Sequence, residues 1–150
     1  MCEDRNALAA EARALVRGVP YLTANLANVA ALIYNSAENV SWAGFYLLRE
    51  DKLVLGPFQG KPACIVIPLG RGVCGTAAAE DRTVTVEDVH SFPGHIACDP
   101  ASRSELVIPL HKDGKVFGVL DLDSERRARF TADDAEIFES LVKALEEELF

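Results

Sequence analysis

The sequence predicts an α+β fold, with a central, mainly antiparallel sheet and helices packed on it. Two observations carry that reading. Two pairs of apolar runs are each joined by a short polar turn, the pattern of β-hairpins. Helical patterns precede the first hairpin and follow the second, and such helices must cover the sheet they flank. The 150 residues suit one domain with one core, so residues 1–150 are read as a single domain.

The elements follow in order. Ala7 to Val16 is alanine-rich and charged, which favours a helix. After Pro20, apolar residues recur at Leu22, Leu26, Val29, Ala30 and Ile33, at helical spacing, until Asn39 breaks the pattern. Val40 to Arg49 and Lys52 to Phe58 form the first predicted hairpin. Cys64 to Pro68 is a short apolar run. Gly72 to Glu80 is a helix behind a glycine-rich start, and Thr83 to Val86 is a short strand. From Glu87 to Ser102 the chain has no period and is rich in His, Pro, Gly and Asp; loops of this length are often functional. Glu105 to Leu110 and Lys115 to Asp123 form the second hairpin around Lys112-Asp113-Gly114. Thr131-Ala132-Asp133-Asp134 reads as a helix cap, and Phe138, Leu141, Val142, Leu145 and Leu149 then share one face.

Charge and composition exclude several classes of function. The net charge is −8, and no basic stripe is present to neutralise phosphates, which argues against nucleic acid. The acidic cluster at Asp133, Asp134, Glu136, Glu139 and Glu146 to Glu148 reads as a solvated helix face. No apolar run approaches a membrane span. The N-terminus lacks the apolar region of a secretion signal, so the four cysteines are expected in a reducing compartment, the cytoplasm.

Cys64, Cys74 and Cys98 stand in glycine- and proline-rich surroundings, and none forms a CxxC pair. The pattern suits thiols that meet only after folding. Cys98 lies in HIACDPAS, inside the long loop; His95 and Arg103 are near enough in sequence to supply the positive charge that favours a thiolate. The same residue also reads as a buried loop cysteine. Cys64 and Cys74 flank IVIPLGRGV and can approach Cys98 only through tertiary folding. Cys2 is terminal and incidental. His90, His95 and Cys98 do not match common zinc spacings, so no metal is expected. Asp121 and Asp123 in GVLDLDS share one strand face, with Leu120 and Leu122 on the other. That face is either an ordinary solvated one or a carboxylate pair in which one member keeps its proton. Glu105 joins this group across the sheet or is a plain strand-edge residue. Trp42 and Tyr46 share a face of the first strand, where they form an aromatic wall or pack in the core.

Taken together, ANLANVAALIY, NVSWAGFYLL, GPFQGKPACIVIPLGRGVCGT, FPGHIACDPASRSELVIPL and GVLDLDS resemble the free methionine-(R)-sulfoxide reductases, a stand-alone branch of the GAF-domain superfamily. The resemblance runs from about Leu22 to the C-terminal helix and implies a GAF-like fold. It implies free methionine-(R)-sulfoxide as substrate, no bound cofactor and thioredoxin as external reductant; it allows a homodimer. Cys98 matches the attacking cysteine, and Cys64 and Cys74 match recycling positions, with Cys64 favoured. Glu105, Asp121 and Asp123 match active-site carboxylates; Trp42 and Tyr46 match aromatics around the substrate methyl group. Pro100 and Arg103 depart from the family text. Two rival functions remain: a GAF module that binds a small ligand and signals, and a thiol redox sensor that peroxide oxidises.

Overall fold

The structure, a computed structural model, describes residues 6–96 and 98–150. Cys2 lies outside them. The elements are α1 (Ala7–Val16), α2 (Leu22–Ser36), β1 (Trp42–Arg49), β2 (Lys52–Gln59), β3 (Val66–Pro68), α3 (Gly72–Glu80), β4 (Val84–Val86), β5 (Ser104–Lys112), β6 (Lys115–Ser124) and α4 (Ala132–Leu149). A short 3-10 turn at Val89–Ser91 punctuates the long loop. The six strands form one sheet in the order β3-β2-β1-β6-β5-β4, with every neighbouring pair antiparallel. Among the described residues no helix is long and apolar enough to cross a membrane.

The alternation of strand residues divides the molecule into layers. Ala43 and Phe45 of β1, Leu106, Ile108 and Leu110 of β5, and Leu120 and Leu122 of β6 all join one core with α1, α2 and α4. Six of these seven are fully buried and the seventh, Ile108, is nearly so; each large aliphatic among them contributes about 1.5–3 kcal/mol. The other sheet face carries Trp42, Tyr46, Val107 and Val119 and packs under α3 and the loop around Val89. The functional side chains of β1, β5 and β6 therefore project toward α3.

Close backbone approach seats α3. A Cβ on Gly75 would lie 2.4 Å from the Pro68 carbonyl oxygen, so glycine lets the helix rest directly on the end of β3. The last helix starts with a full capping box: the Thr131 hydroxyl accepts from the Asp134 N–H, and the Asp134 carboxylate accepts from the Thr131 N–H. A cap of this kind contributes about 1 kcal/mol.

The acidic face of α4 is exposed or half-buried, as expected of a solvated face, and several of its carboxylates are also paired. Glu147 and Glu148 pair with Arg13 at 2.9 and 3.0 Å, and Glu139 accepts from Thr83 at 3.0 Å. Glu146 accepts from His111 Nδ1 at 2.7 Å, while His111 Nε2 meets Asp81 at 2.6 Å. His111 thus bridges α4 to the C-terminal end of α3 across the strand edge. Partial burial pulls its pKa down, but the hydrogen bonds to Asp81 and Glu146 outweigh that and leave it above the ordinary histidine range.

A pH dependence follows with a definite sign. A histidine whose folded pKa is raised stabilises fully below its unfolded pKa, about 6.5, and loses that contribution as pH rises through the folded value. Thermal unfolding of the wild type and His111→Gln should show the wild-type advantage at pH 6 shrinking as the pH rises. A difference independent of pH would remove the charged bridge from the account.

Candidate active site

The site lies on the α3 side of the sheet, where the register sets a grid of side chains. Trp42 stands opposite Asp123, and Asp123 opposite Glu105, in one row across β1, β6 and β5. Asp121 occupies the next row, between Gly44 and Val107. Glu105 and Asp121 are buried, and Asp123 is half-buried. The alternation that buries Leu120 and Leu122 under helices places both aspartates here. The solvated-face reading of this pair is therefore replaced by a buried carboxyl cluster, which Glu105 joins.

Gly44 shapes the floor. A Cβ there would come within 2.3 Å of Phe58 Cβ and 2.8 Å of the Trp42 ring. Its absence lets the indole lie across the strand, stacked on Phe58 at 5.2 Å and on Tyr46 at 5.9 Å between ring centroids. Both aromatics also use their polar ends. Trp42 Nε1–H donates to the Lys61 carbonyl at 3.0 Å, and the Tyr46 hydroxyl donates to the Cys64 carbonyl at 2.8 Å. The aromatic wall and the core-packing readings are both realised, and the hydrogen bonds add a role that spacing does not reveal. They hang the segment bearing Cys64 over the cavity.

The long loop covers the site from the opposite side. The Gly72 N–H, at the start of α3 where φ is +63°, donates to Gly94 at 3.1 Å. The Val89 N–H donates to Arg103, and the Arg103 N–H to Ser124. These anchors bring Cys98 to Cys64, and the two form a disulfide with Cα atoms 5.4 Å apart across 34 residues of sequence. Cys74 is the free cysteine among the described residues, and it is buried. A cavity of about 60 Å³ lies beneath the disulfide. Trp42, Tyr46, Cys74, Cys98, Glu105, Asp121 and Asp123 all line it; Cys64 flanks it through its bond to Cys98. The cysteines, carboxylates and aromatics named from the sequence thus converge on one place, whereas His90 and Arg103 do not line it.

The charge around Cys98 differs from the sequence expectation. Arg103 turns away to Asp88 at 3.8 Å. His95 lines the cavity, but burial first, and then His90, lower its pKa and favour the neutral ring. Asp99 and Ser102 also line the cavity and were not singled out from the sequence. Their signal was only their place beside Cys98 in a polar loop.

The electrostatics favour protons over charge. Burial, followed by the charges of Asp121 and Asp123, raises Glu105 well above the usual carboxylate range. Burial and then Asp121 do the same to Asp123. Asp121 is raised by burial, but the adjacent Glu105 and Cys74 side chains pull it back, so it is the member that holds negative charge most readily. Cys74 is pushed up by burial, then by Asp121 and Glu105, and its thiol donates to Glu105 Oε2 at 3.7 Å. A neutral thiol is a poor nucleophile. The arrangement combines a disulfide-forming cysteine pair, carboxyl groups whose pKa burial raises, and stacked aromatic rings.

Burial of Glu105 has a cost that depends on pH. A carboxyl whose folded pKa is raised stabilises fully while protonated and loses that contribution as pH rises from about 4.3 through the folded value. The melting temperature of Glu105→Gln relative to wild type should therefore be flat below that range and move in the variant's favour above it. A flat profile throughout would show that Glu105 does not carry the raised pKa.

A family model described as GAF domain matches residues 23–146. The chain is 54% identical over 136 residues to the free methionine-R-sulfoxide reductase of Escherichia coli (strain K12), covering 91% of this chain and 82% of that protein. The reduced form of fRMsr of Staphylococcus aureus superposes with a TM-score of 0.94 at 47% identity, covering 98% of this chain and 96% of that one. The free methionine-R-sulfoxide reductase of Neisseria meningitidis, solved in complex with its substrate, gives 0.92 at 46% identity, with 97% and 87% covered.

Proposed function

We propose that this chain, which belongs to the GAF-domain family and within it to the free methionine-R-sulfoxide reductases, reduces free L-methionine-(R)-sulfoxide to L-methionine. The observation that carries this reading is the Cys64–Cys98 disulfide, whose Cys98 lines the same cavity as the carboxyl cluster. A binding module has no use for a redox pair beside an acid.

The cycle begins with both thiols reduced. The substrate's methyl group rests against Trp42 and Tyr46, and its ammonium group faces Asp121. Glu105 or Asp123, kept protonated by burial, donates to the sulfoxide oxygen; unprotonated, that oxygen is a poor leaving group. The Cys98 thiolate attacks the sulfoxide sulfur. The oxygen passes to Cys98, methionine leaves, and Cys98 becomes a sulfenic acid. The Cys64 thiol then attacks the Cys98 sulfur, expelling water and forming the disulfide. A dithiol reductant, thioredoxin, restores both thiols and takes the oxidising equivalents. Such recycling belongs in a reducing compartment, and the cytoplasm is the expected location. The reading of a free amino acid as substrate rests on the likeness to the free methionine-R-sulfoxide reductases.

Cys64 is the resolving thiol in this scheme because it already reaches Cys98. Cys74 is buried, neutral and hydrogen-bonded to Glu105, so its part is to hold the acid in place.

The deciding assay is methionine release from the R- and S-sulfoxides, separately, with thioredoxin, its reductase and NADPH. Turnover of the R-form alone is expected, and Cys98→Ser should abolish it; a folded protein inert toward both forms, or a fully active Cys98→Ser, overturns the reading. In Cys64→Ala a single turnover should survive in rapid-quench experiments while steady-state turnover falls at least tenfold. Unchanged steady-state turnover would move the resolving role to Cys74.

A further inference from the structure

Cys74 on α3, Glu105 on β5 and Asp121 on β6 each offer one ligand atom, and these atoms all lie within 4.8 Å of one another. All three side chains are buried on regular elements. Cys74 Sγ and Glu105 Oε2 are 3.7 Å apart. In tetrahedral zinc sites, with Zn–S about 2.3 Å and Zn–O about 2.0 Å, a sulfur and an oxygen ligand stand about 3.5 Å apart. The pair is already spaced as two corners of such a tetrahedron.

An independent observation points to a ligand. Asp121 is 5% exposed and lines the cavity. Its Oδ1 is buried without a hydrogen-bond partner among the described residues. A buried acceptor left without a donor is costly. Burial raises the Asp121 pKa, and the Glu105 and Cys74 side chains interact with its carboxyl and lower it, but Oδ1 is left without a partner. Nor does a basic group reach it, since the Lys61 side chain is 66% exposed and leans toward Glu125 and the His95 ring favours its neutral form. One thiolate and two carboxylates form a mixed donor set that selects a borderline-soft divalent cation over magnesium or calcium.

We propose that Cys74, Glu105 and Asp121 form a binding site for a thiophilic divalent cation of the zinc class, and that its occupation excludes the substrate. The ion takes Cys74 Sγ, a Glu105 oxygen and Asp121 Oδ1. Its fourth position opens on the cavity and is completed by water. The protons of the thiol and carboxyls are released to solvent on binding, so affinity rises with pH. The site itself stands on the ligand geometry. Its inhibitory consequence rests on the reductase reading, because the ion occupies both the acid and the carboxylate that faces the substrate's ammonium group.

The test uses the oxidised protein carrying Cys2→Ser, in which the Cys64–Cys98 disulfide leaves Cys74 as the available thiol. Titration with Co²⁺ should produce a thiolate-to-cobalt charge-transfer band in the near ultraviolet, and Zn²⁺ should abolish it by displacement. Adding Cys74→Ser should remove the band, and Asp121→Asn should weaken Co²⁺ affinity at least tenfold. X-ray absorption of the Zn²⁺-loaded Cys2→Ser protein, which needs no further variant to fold, should show one sulfur at about 2.3 Å with the remaining ligands oxygen. No band, a band that survives Cys74→Ser, unchanged affinity in Asp121→Asn, or a zinc shell without sulfur would each overturn the proposal. None of these readouts involves turnover, so a protein inert toward methionine sulfoxide would still report on the metal site.

Discussion

β6 can bury its leucines only on the side where three helices wait. Leu120 and Leu122 join the core shared with α1, α2 and α4, and the pleat turns Asp121 and Asp123 to the opposite face. A slip of one residue would drive two carboxylates into the helical core and expose the leucines, so the hydrophobic demand of one face fixes the register of the whole strand. The pairing with β1 and β5 then transmits that register, which is how Trp42 and Glu105 come to flank the same aspartate. The site's geometry is thus a by-product of the core on the far side of the sheet.

That origin explains why carboxylates can be held in a place that burial disfavours. Each would be destabilising alone, and the three together more so. The packing of the opposite face supplies the compensation, without a buried basic side chain among the cavity's lining. A compensating arginine would make the cluster more stable and also ionise it, and an ionised cluster would have no proton to donate in the proposed cycle. The chemistry and the stability of this region therefore pull in opposite directions.

Much of this was legible in the sequence, and the reasons can be given residue by residue. The period-2 text of GVLDLDS stated which residues share a face, but not whether that face met water or a helix; only the tertiary seat of α3 decides it. The antiparallel hairpins were legible because Lys112-Asp113-Gly114 and the polar turn at Glu50-Asp51 punctuate them. The order of strands across the sheet was not, because the β1–β6 pairing joins segments far apart in the chain. The pairing of Cys64 with Cys98 followed from the family resemblance; the residues alone left Cys74 equally open. The carbonyl contacts of Trp42 and Tyr46 were invisible, since a backbone acceptor carries no residue signature. Arg103 misled, because proximity in sequence does not reveal that Asp88 draws it outward.

The link between Cys64 and Cys98 closes a loop that contains β3, α3, β4 and the 3-10 turn. Constraining a loop of this length in the unfolded chain is worth about 3–4 kcal/mol. Thermodynamic reciprocity then acts in the other direction. Whatever the bond contributes to the folded chain, the folded chain contributes to the bond, because both measure the same closed cycle of folding and oxidation. By that reciprocity the folded chain makes the bond harder to reduce than the same bond in an unfolded chain, and in the proposed cycle a stronger dithiol is needed to reopen it. Oxidative conditions would gather the population into the oxidised form, where it is at its most durable and unable to turn over.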